Sequence, residues 1–327
     1  MSDHIVPVFI GGCGRSGTTF LGSLLSSHIR CVATPESPFK IDLLRYCSLE
    51  TTKNYLSNES IKSFLSKNFY FNTWNISFDN CDIHHNLNQE NRDQTSCNKI
   101  MIELVKNYVR KFHCEKNFQY WIDHTPNNIM YAVSLLEQFP NAKFIHIVRD
   151  GRAVAASVIP LDWGPNTVSK ATRWWLTSLS YGLSLEKKIA PEKILRVSYE
   201  SLVLNTAKTM DKIADFLNLS FSDQYLQEKP SLLVTSYTRN QHSLVNQKPN
   251  ADRVYSWKYE LSSREIELFE YYTGDILCYL GYEMMYGLKA LPPTFSEKLI
   301  SSIKELLYSN IVNKVRLYQR RISRDSV

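Results

Sequence analysis

The sequence predicts an α/β fold in which a parallel sheet carries helices on both faces. Apolar, strand-like runs recur at four places along the chain, namely Val6–Ile10, Phe118–Ile122, Lys143–Val148 and Ile194–Val197. Each run is followed by residues with helical spacing, at Thr18–His28, Asn127–Phe139, Gly151–Ile159 and Ser201–Leu219. Strands and helices that alternate with short connections are typical of parallel sheets covered on both sides.

The first strand runs into a glycine-rich turn. Residues 12–19 read Gly-Cys-Gly-Arg-Ser-Gly-Thr-Thr and directly precede a helical pattern. Glycines let backbone N–H groups close around an anion, and the start of a helix adds partial positive charge. We therefore predict a phosphate-binding turn. Its frame is that of a P-loop, except that Thr18 stands where the lysine belongs and the cation of the turn is Arg15.

A second motif follows more than a hundred residues later. The apolar run of residues 144–148 ends in Arg149, and Ser157 comes eight residues after that arginine. Together and in this order, the two motifs resemble the sulfotransferases that use 3′-phosphoadenosine 5′-phosphosulfate. The first resembles the family's 5′-phosphosulfate loop and the second its 3′-phosphate-binding element. The resemblance extends from about residue 5 to about residue 285 and is poor between about 45 and 117.

The resemblance implies a P-loop-like α/β fold and metal-independent transfer of a sulfuryl group from this donor to a hydroxyl or amine. It assigns to the 5′ end of the donor Arg15, Ser16, Gly17, Thr18 and Thr19. It assigns to the 3′-phosphate Arg149 and Ser157. Tyr199 resembles the family's tyrosine near the nucleotide, and Arg253 falls in a region that resembles the loop closing over the adenosine. Arg152 occurs in a variable part of the pattern, so we expect it at the surface.

Glu36 is the candidate base for the acceptor proton. It follows Arg15 by twenty-one residues, the spacing of the proposed catalytic glutamate in tyrosylprotein sulfotransferases. Pro35 and Pro38 flank it and predict an extended, rigid approach to the strand edge. Arg15 is the candidate cation for the bridging oxygen of the leaving phosphate.

His124 departs from the family pattern, because most members have a lysine at this position. A protonated imidazole can replace the lysine charge only while it is charged. The histidine therefore makes stabilisation of the leaving phosphate pH-sensitive or leaves it to Arg15. Alternatively, His124 is itself a base that competes with Glu36.

The residues are also compatible with two alternative functions. Asp150 follows an apolar run and could hold Mg²⁺ in a P-loop kinase or other NTPase, although the missing loop lysine argues against this. The second alternative is a non-catalytic nucleotide-binding protein that acts as a membrane adaptor. The neighbouring Trp174 and Trp175 fall in a helical run and are predicted to be core residues.

Composition and charge narrow the class of protein. With 327 residues, 43% of them hydrophobic and 21% charged, the chain has the composition of a soluble globular protein. Its seven cysteines show no metal-ligand spacing, so we expect free thiols and no metal. No apolar run reaches the length of a membrane span, and the first strand begins near residue 5. These features favour a cytoplasmic location.

We expect one domain over residues 1–286 and a basic helical tail over residues 287–327. The domain contains an Asn- and Ser-rich insertion at about 45–117, with short helices at Ser60–Lys67 and Lys99–Lys111. Its polar patches at 79–82 and 86–93 are not expected to pack a core. The net charge is +6, of which the tail contributes +5, so a nucleic-acid surface is not expected.

The tail predicts an amphipathic helix over Phe295–Ile322. Its apolar side could pack on the main domain, on a partner subunit in a homodimer, or on a membrane surface. The acceptor is left open among peptide tyrosine, carbohydrate, lipid and small metabolite.

Overall fold

A computed structural model of the protein describes residues 5–52, 57–80, 95–113, 117–220 and 250–325. Within these residues the centre is a sheet of five parallel strands. In chain order they are β1 (Val6–Gly12), β2 (Cys31–Ala33), β3 (Tyr120–Asp123), β4 (Lys143–Val148) and β5 (Ile194–Ser198). Their order across the sheet is β2-β3-β1-β4-β5. The four predicted strands are confirmed, and β2 is an additional edge strand whose three residues are too few to show a pattern.

The sheet order brings three strand ends to one edge. β1 lies between β3 and β4, with Phe9 opposite both Asp123 and Phe144. Because all three strands run in the same direction, the chain leaves β1, β3 and β4 at the same side of the sheet. The glycine-rich turn, His124 and Arg149 follow these three ends. Ligands of open parallel sheets bind at this side.

Helices cover both faces of the sheet. Those before β4 are α1 (Thr18–Ser26), α2 (Phe39–Thr52), α3 (Asn58–Ser66), α4 (Phe69–Thr73), α5 (Thr95–Phe112) and α6 (Ala132–Gln138). Those that follow are α7 (Gly151–Val158), α8 (Val168–Lys188), α9 (Tyr199–Leu204), α10 (Thr206–Leu217), α11 (Asp252–Tyr255), α12 (Trp257–Glu260), α13 (Ser263–Tyr279), α14 (Phe295–Leu307) and α15 (Asn313–Asp325). None of the helices in the described ranges is long and apolar enough to cross a bilayer.

Two predicted helices are interrupted. The helix predicted over Asn127–Phe139 begins as a 3₁₀ turn over Pro126–Ile129, and α6 starts only at Ala132. The Asn128 side chain donates to the carbonyl of Ile10, which fixes this turn against β1. The helix predicted over Ser201–Leu219 is broken between α9 and α10 at Asn205, whose ψ of 53° is not helical.

The insertion has a packed core in its described parts. α3 and α5 are the two helices predicted there, and they bury apolar residues that belong to one cluster with the sheet residues Phe9 and Trp121. The buried residues include Ile61, Leu65, Trp74, Met101, Leu104 and Tyr108. Many asparagines and lysines separate these residues, but their spacing of three and four is helical. The polar stretch at 86–93 lies outside the described residues.

The tail is helical where predicted, but its apolar side is exposed. α14 and α15 are joined by one π-helical turn over Tyr308–Val312. The expected packing of the apolar side on the main domain is not observed, since Phe295 is 83% exposed and Ile300 is 63% exposed.

Candidate active site

The glycine-rich turn joins β1 to α1 in the conformation of an anion cradle. Gly17 is the N-cap of α1 with a φ of 95°, which favours glycine. A Cβ at Gly17 would also lie 2.5 Å from the Tyr199 ring. Thr18 and Thr19 form the first turn of α1 and are buried. The first N–H groups of a helix have no intrahelical partner, so this helix start at the sheet edge is suited to bind an anion.

Arg15 adopts a left-handed backbone conformation with a φ of 68°, which costs free energy for a residue other than glycine. Contacts to the second motif hold it there. Nη1 of Arg149 donates to the Arg15 carbonyl at 2.8 Å, and Nε of Arg15 donates to Oγ of Ser157 at 3.1 Å. The two predicted anion-binding motifs are thus joined directly at one edge of the sheet.

Arg149 is the centre of this arrangement. Its guanidinium lies over the Tyr199 ring, 4.3 Å from the ring centroid. Its Nη2 donates to the carbonyl of Arg253 at 3.1 Å. The Arg253 side chain is 47% exposed and pairs with Glu260. Four predicted donor residues, Arg15, Arg149, Ser157 and Tyr199, therefore lie together, and Arg253 borders them.

Polar atoms at this edge lack protein partners. Within the described residues, Oγ of Ser16 and Nε of Arg149 are buried without a hydrogen-bond partner. Burial, followed by the charge of Arg149, lowers the pKa of Arg15. A buried donor without a partner costs free energy, and neighbouring guanidinium groups repel each other. An anion bound between them accepts hydrogen bonds from the unpartnered donors and offsets the repulsion between the guanidinium groups. The residues therefore fit a ligand with phosphate or sulfate groups.

Arg152 is buried, and the expectation that it lies at the surface was wrong. It is 1% exposed and binds both oxygens of the Asp150 carboxylate, at 3.0 and 2.7 Å. It also pairs with the buried Glu270. These partners neutralise the guanidinium, so Arg152 holds α7 against α13. Because Arg152 already binds both Asp150 carboxylate oxygens, this carboxylate is a poor candidate for a Mg²⁺ ligand.

Glu36 and His124 lie beside each other on the other side of the turn. Oε1 of Glu36 is 3.9 Å from Nδ1 of His124, and the Glu36 side chain is 30% exposed. The Glu36 carbonyl accepts a hydrogen bond from the Trp74 indole at 3.2 Å. The insertion thus packs directly against the segment that carries Glu36.

The two side chains have opposite pKa shifts. Burial, together with the Asp123 carboxylate, raises the pKa of Glu36 to about 7, against the opposing charges of Lys40 and Arg15. Burial lowers the pKa of His124 to about 4 although Asp123 is close. His124 packs against Gly22 of α1, where a Cβ would lie 3.1 Å from the imidazole. At pH 7 Glu36 therefore exchanges protons readily, and His124 is neutral and supplies no positive charge.

A buried ion pair beneath Glu36 was not predicted. Nζ of Lys40 lies 3.0 Å from Oδ2 of Asp123, and both side chains are at most 1% exposed. The Asp123 carboxylate also accepts hydrogen bonds from Ser37 Oγ and from the N–H and hydroxyl of Thr125. Burial alone would raise the pKa of Asp123, but Lys40 and these hydrogen bonds lower it to about 2. The sequence signal was a lysine inside the apolar run Phe39-Lys40-Ile41.

This network fixes the position of Glu36. The Ser37 N–H donates to Oγ1 of Thr125 at 2.8 Å, which ties the residue after Glu36 to the end of β3. Lys40 and Ser37 bind Asp123, the last residue of β3, from the same segment. Glu36 is therefore held next to His124 by three contacts that do not involve its own carboxylate.

Of the two tryptophans predicted to be core residues, only Trp175 is fully buried, at 1% exposed. Trp174 is partly exposed, and its ring lies so close to Gly14 that a Cβ there would be 2.8 Å away. Trp163 packs edge-to-face on Trp174 at 6.4 Å. These two rings form one wall beside the anion cradle.

Comparison with known proteins gives a consistent picture. Residues 7–223 match the model of the family described as the sulfotransferase family. The chain is 24% identical over 328 residues to protein-tyrosine sulfotransferase A of Caenorhabditis elegans, covering 93% of this chain and 73% of that protein. It is also 24% identical over 268 residues to a protein-tyrosine sulfotransferase of Drosophila melanogaster, covering 76% of this chain and 46% of that protein. It thus spans about half the length of the fly relative.

Solved structures share the fold. The sulfotransferase domain of the Synechococcus PCC 7002 olefin synthase superposes with a TM-score of 0.54 and 22% identity, covering 83% of this chain and 97% of that one. The sulfotransferase domain of the curacin biosynthetic pathway gives a TM-score of 0.51 and 19% identity, covering 86% of this chain and all of that one.

Proposed function

This chain belongs to the sulfotransferase family, and from that premise we propose that it transfers a sulfuryl group from 3′-phosphoadenosine 5′-phosphosulfate to an acceptor hydroxyl, without a metal. The choice of donor rests on the direct contact between the two predicted anion-binding motifs. Arg149 bonds to the carbonyl of Arg15, and Arg15 bonds to Ser157. Two anion sites held side by side match a nucleotide that carries anions at both its 3′ and 5′ positions.

In this proposal each motif binds one end of the donor. The start of α1, from Gly17 to Thr19, and the hydroxyl of Ser16 bind the 5′-phosphosulfate. Arg149 and Ser157 bind the 3′-phosphate, and the guanidinium of Arg149 is well suited to a two-point contact with it. In the same proposal, Tyr199 and Arg253 contact the nucleoside.

The transfer step needs a base, a fixed in-line geometry and a cation. Glu36 takes the proton of the acceptor hydroxyl as its oxygen bonds to sulfur. The bond between sulfur and the bridging oxygen breaks, and Arg15 stabilises the negative charge that this oxygen acquires on the departing 5′-phosphate. A sulfuryl group carries less charge than a phosphoryl group, so these residues suffice without a metal clamp. A pKa near 7 suits Glu36 to this task at neutral pH.

For the acceptor we propose a protein tyrosine. The support is that relatives matching most of this chain are protein-tyrosine sulfotransferases. Carbohydrates, lipids and small metabolites are the competing acceptors. The kinase alternative loses its metal ligand, because Asp150 is bound by Arg152. The non-catalytic alternative does not account for a carboxylate held beside the cradle with a pKa of about 7.

Calorimetric titration with 3′-phosphoadenosine 5′-phosphate in EDTA tests the donor. We expect binding without metal, weakened about 10- to 100-fold by Arg149→Ala, since charged hydrogen bonds are lost. The control Lys187→Ala removes an exposed cation of α8 and should leave affinity unchanged. Binding of ATP alone, and only with Mg²⁺, would contradict the proposal. Transfer of labelled sulfate to a tyrosine peptide then tests the acceptor, with a glycan as the comparison.

His124 offers a separate prediction. Because its imidazole is neutral above about pH 4, we expect His124→Gln to leave the pH dependence of kcat/KM unchanged between pH 5 and 9. The absolute rate can still change through packing against Gly22. A limb of the profile that disappears in His124→Gln would show that the imidazole itself titrates during turnover.

A further inference from the structure

The tail helices α14 and α15 are attached to the main domain through polar contacts. Glu297 pairs with Arg264 at 2.8 Å. Glu305 accepts a hydrogen bond from the N–H of Asn166 at 3.1 Å, and Asn313 donates to the Asn166 side chain at 2.8 Å. An amphipathic helix on a soluble domain ordinarily turns its apolar side inward. These two helices do the opposite, because their polar side faces the protein.

The apolar side consequently forms an exposed stripe along both helices. Its residues recur every three to five positions, and each is between 49% and 83% exposed. They are Phe295, Leu299, Ile303, Leu306, Ile311 and Val315. A continuous stripe of large aliphatic and aromatic side chains is unusual on a soluble surface and marks an interaction site.

The charges beside this stripe are positive. Of the acidic residues in α14, Glu297 and Glu305 are both engaged with the main domain. Lys298 and Lys314 are exposed, and residues 287–327 together carry eight lysines and arginines against three acidic residues. Over the described residues, the outward surface therefore combines the exposed apolar stripe with the exposed lysines Lys298 and Lys314.

We propose that α14 and α15 dock on the surface of an anionic lipid bilayer, with the stripe in the headgroup region and the lysines against lipid phosphates. Apolar burial and attraction to anionic lipids act together in such docking. A second copy of the chain fits the surface less well, because a symmetric contact would bring the two excesses of positive charge together. The docking is independent of sulfuryl transfer and needs no helix that spans the bilayer.

Co-sedimentation of the full chain with vesicles tests this proposal. We expect binding to vesicles of equal parts phosphatidylcholine and phosphatidylserine and not to phosphatidylcholine alone. The triple change Leu299→Ser, Ile303→Ser and Leu306→Ser should weaken binding at least about tenfold. The pair Lys298→Glu and Lys314→Glu should do the same, and added salt should weaken binding of the unchanged protein.

The matched control changes three comparably exposed apolar residues elsewhere, Val133, Tyr181 and Leu204, to serine. All these sites are exposed, so circular dichroism should show that each variant folds. Absence of vesicle binding by the unchanged protein, or equal binding by the triple variant, would overturn the proposal. A dimer in analytical ultracentrifugation that the triple variant dissociates would assign the stripe to a contact between copies and would also overturn it.

Discussion

Replacing Glu36 with glutamine is expected to lower kcat by about 10²- to 10⁴-fold, the usual contribution of a general base. Glutamine keeps the size of the side chain but cannot accept the acceptor's proton. Calorimetry should show that 3′-phosphoadenosine 5′-phosphate still binds, since the proposed donor contacts come from the glycine-rich turn and from Arg149. The matched control is Glu137→Gln, an exposed carboxylate on α6 that should be silent. A variant at Glu36 with normal turnover would exclude it as the base.

The pH dependence of the unchanged enzyme gives a second measure of the same residue. The pKa of Glu36 is raised to about 7, so the carboxyl is protonated below that pH and cannot act as a base. We expect kcat/KM to rise with pH through about 7 and then to level off. Glu36→Gln should lose this limb along with most of its rate. A limb that persists in the variant would belong to another group.

Replacing Lys40 with methionine is expected to lower the free energy of unfolding by about 3–5 kcal/mol, because the Asp123 carboxylate is left charged and buried without its partner. Chemical denaturation measures this change. The matched control is Lys62→Met, whose pair with Asp79 has side chains 53% and 57% exposed and should contribute less than about 1 kcal/mol. An equal loss of unfolding free energy in the two variants would show that the buried pair stabilises the fold no more than the exposed pair does.

The double change Lys40→Met and Asp123→Asn should recover most of the lost stability, because it leaves no isolated charge. It also separates stability from chemistry. Asp123 raises the pKa of Glu36 more than Lys40 lowers it, so removal of both charges should move the acid limb of kcat/KM to lower pH. Lys40→Met alone should move it to higher pH. Limbs at the same pH in all three proteins would mean that the pair only supports the fold.

Much of the fold, and the placement of the candidate donor residues at one edge of the sheet, could be predicted because their signals are local. Apolar runs identify β1, β3, β4 and β5, and the spacing of glycines identifies the turn before α1. Composition does not indicate the core of the insertion, because its buried residues are spread among asparagines and lysines and only their helical spacing reveals them. Arg152 was misplaced for a related reason, since its partner Glu270 comes from a helix far along the chain.

The electrostatics around Glu36 depend on contacts that no local pattern contains. Lys40 and Asp123 are separated by more than eighty residues, and only the pairing of the chain segments brings them within 3.0 Å. The neutral state of His124 follows from its packing against Gly22 on α1. Most family members have a lysine, and therefore a cation, at the position of His124. In this chain burial keeps the imidazole neutral at pH 7.

The bond from Arg149 to the Arg15 carbonyl has a consequence for selectivity among nucleotides. Arg149 would bind the 3′-phosphate, yet it also holds Arg15 in the left-handed conformation that shapes the cradle for the 5′ end. A nucleotide without a 3′-phosphate therefore leaves this guanidinium without its counter-ion, beside the Arg15 guanidinium whose pKa is lowered by burial and by this charge. The loss of affinity for adenosine 5′-phosphosulfate should then exceed the free energy of one phosphate contact, because a single arginine serves both ends of the ligand.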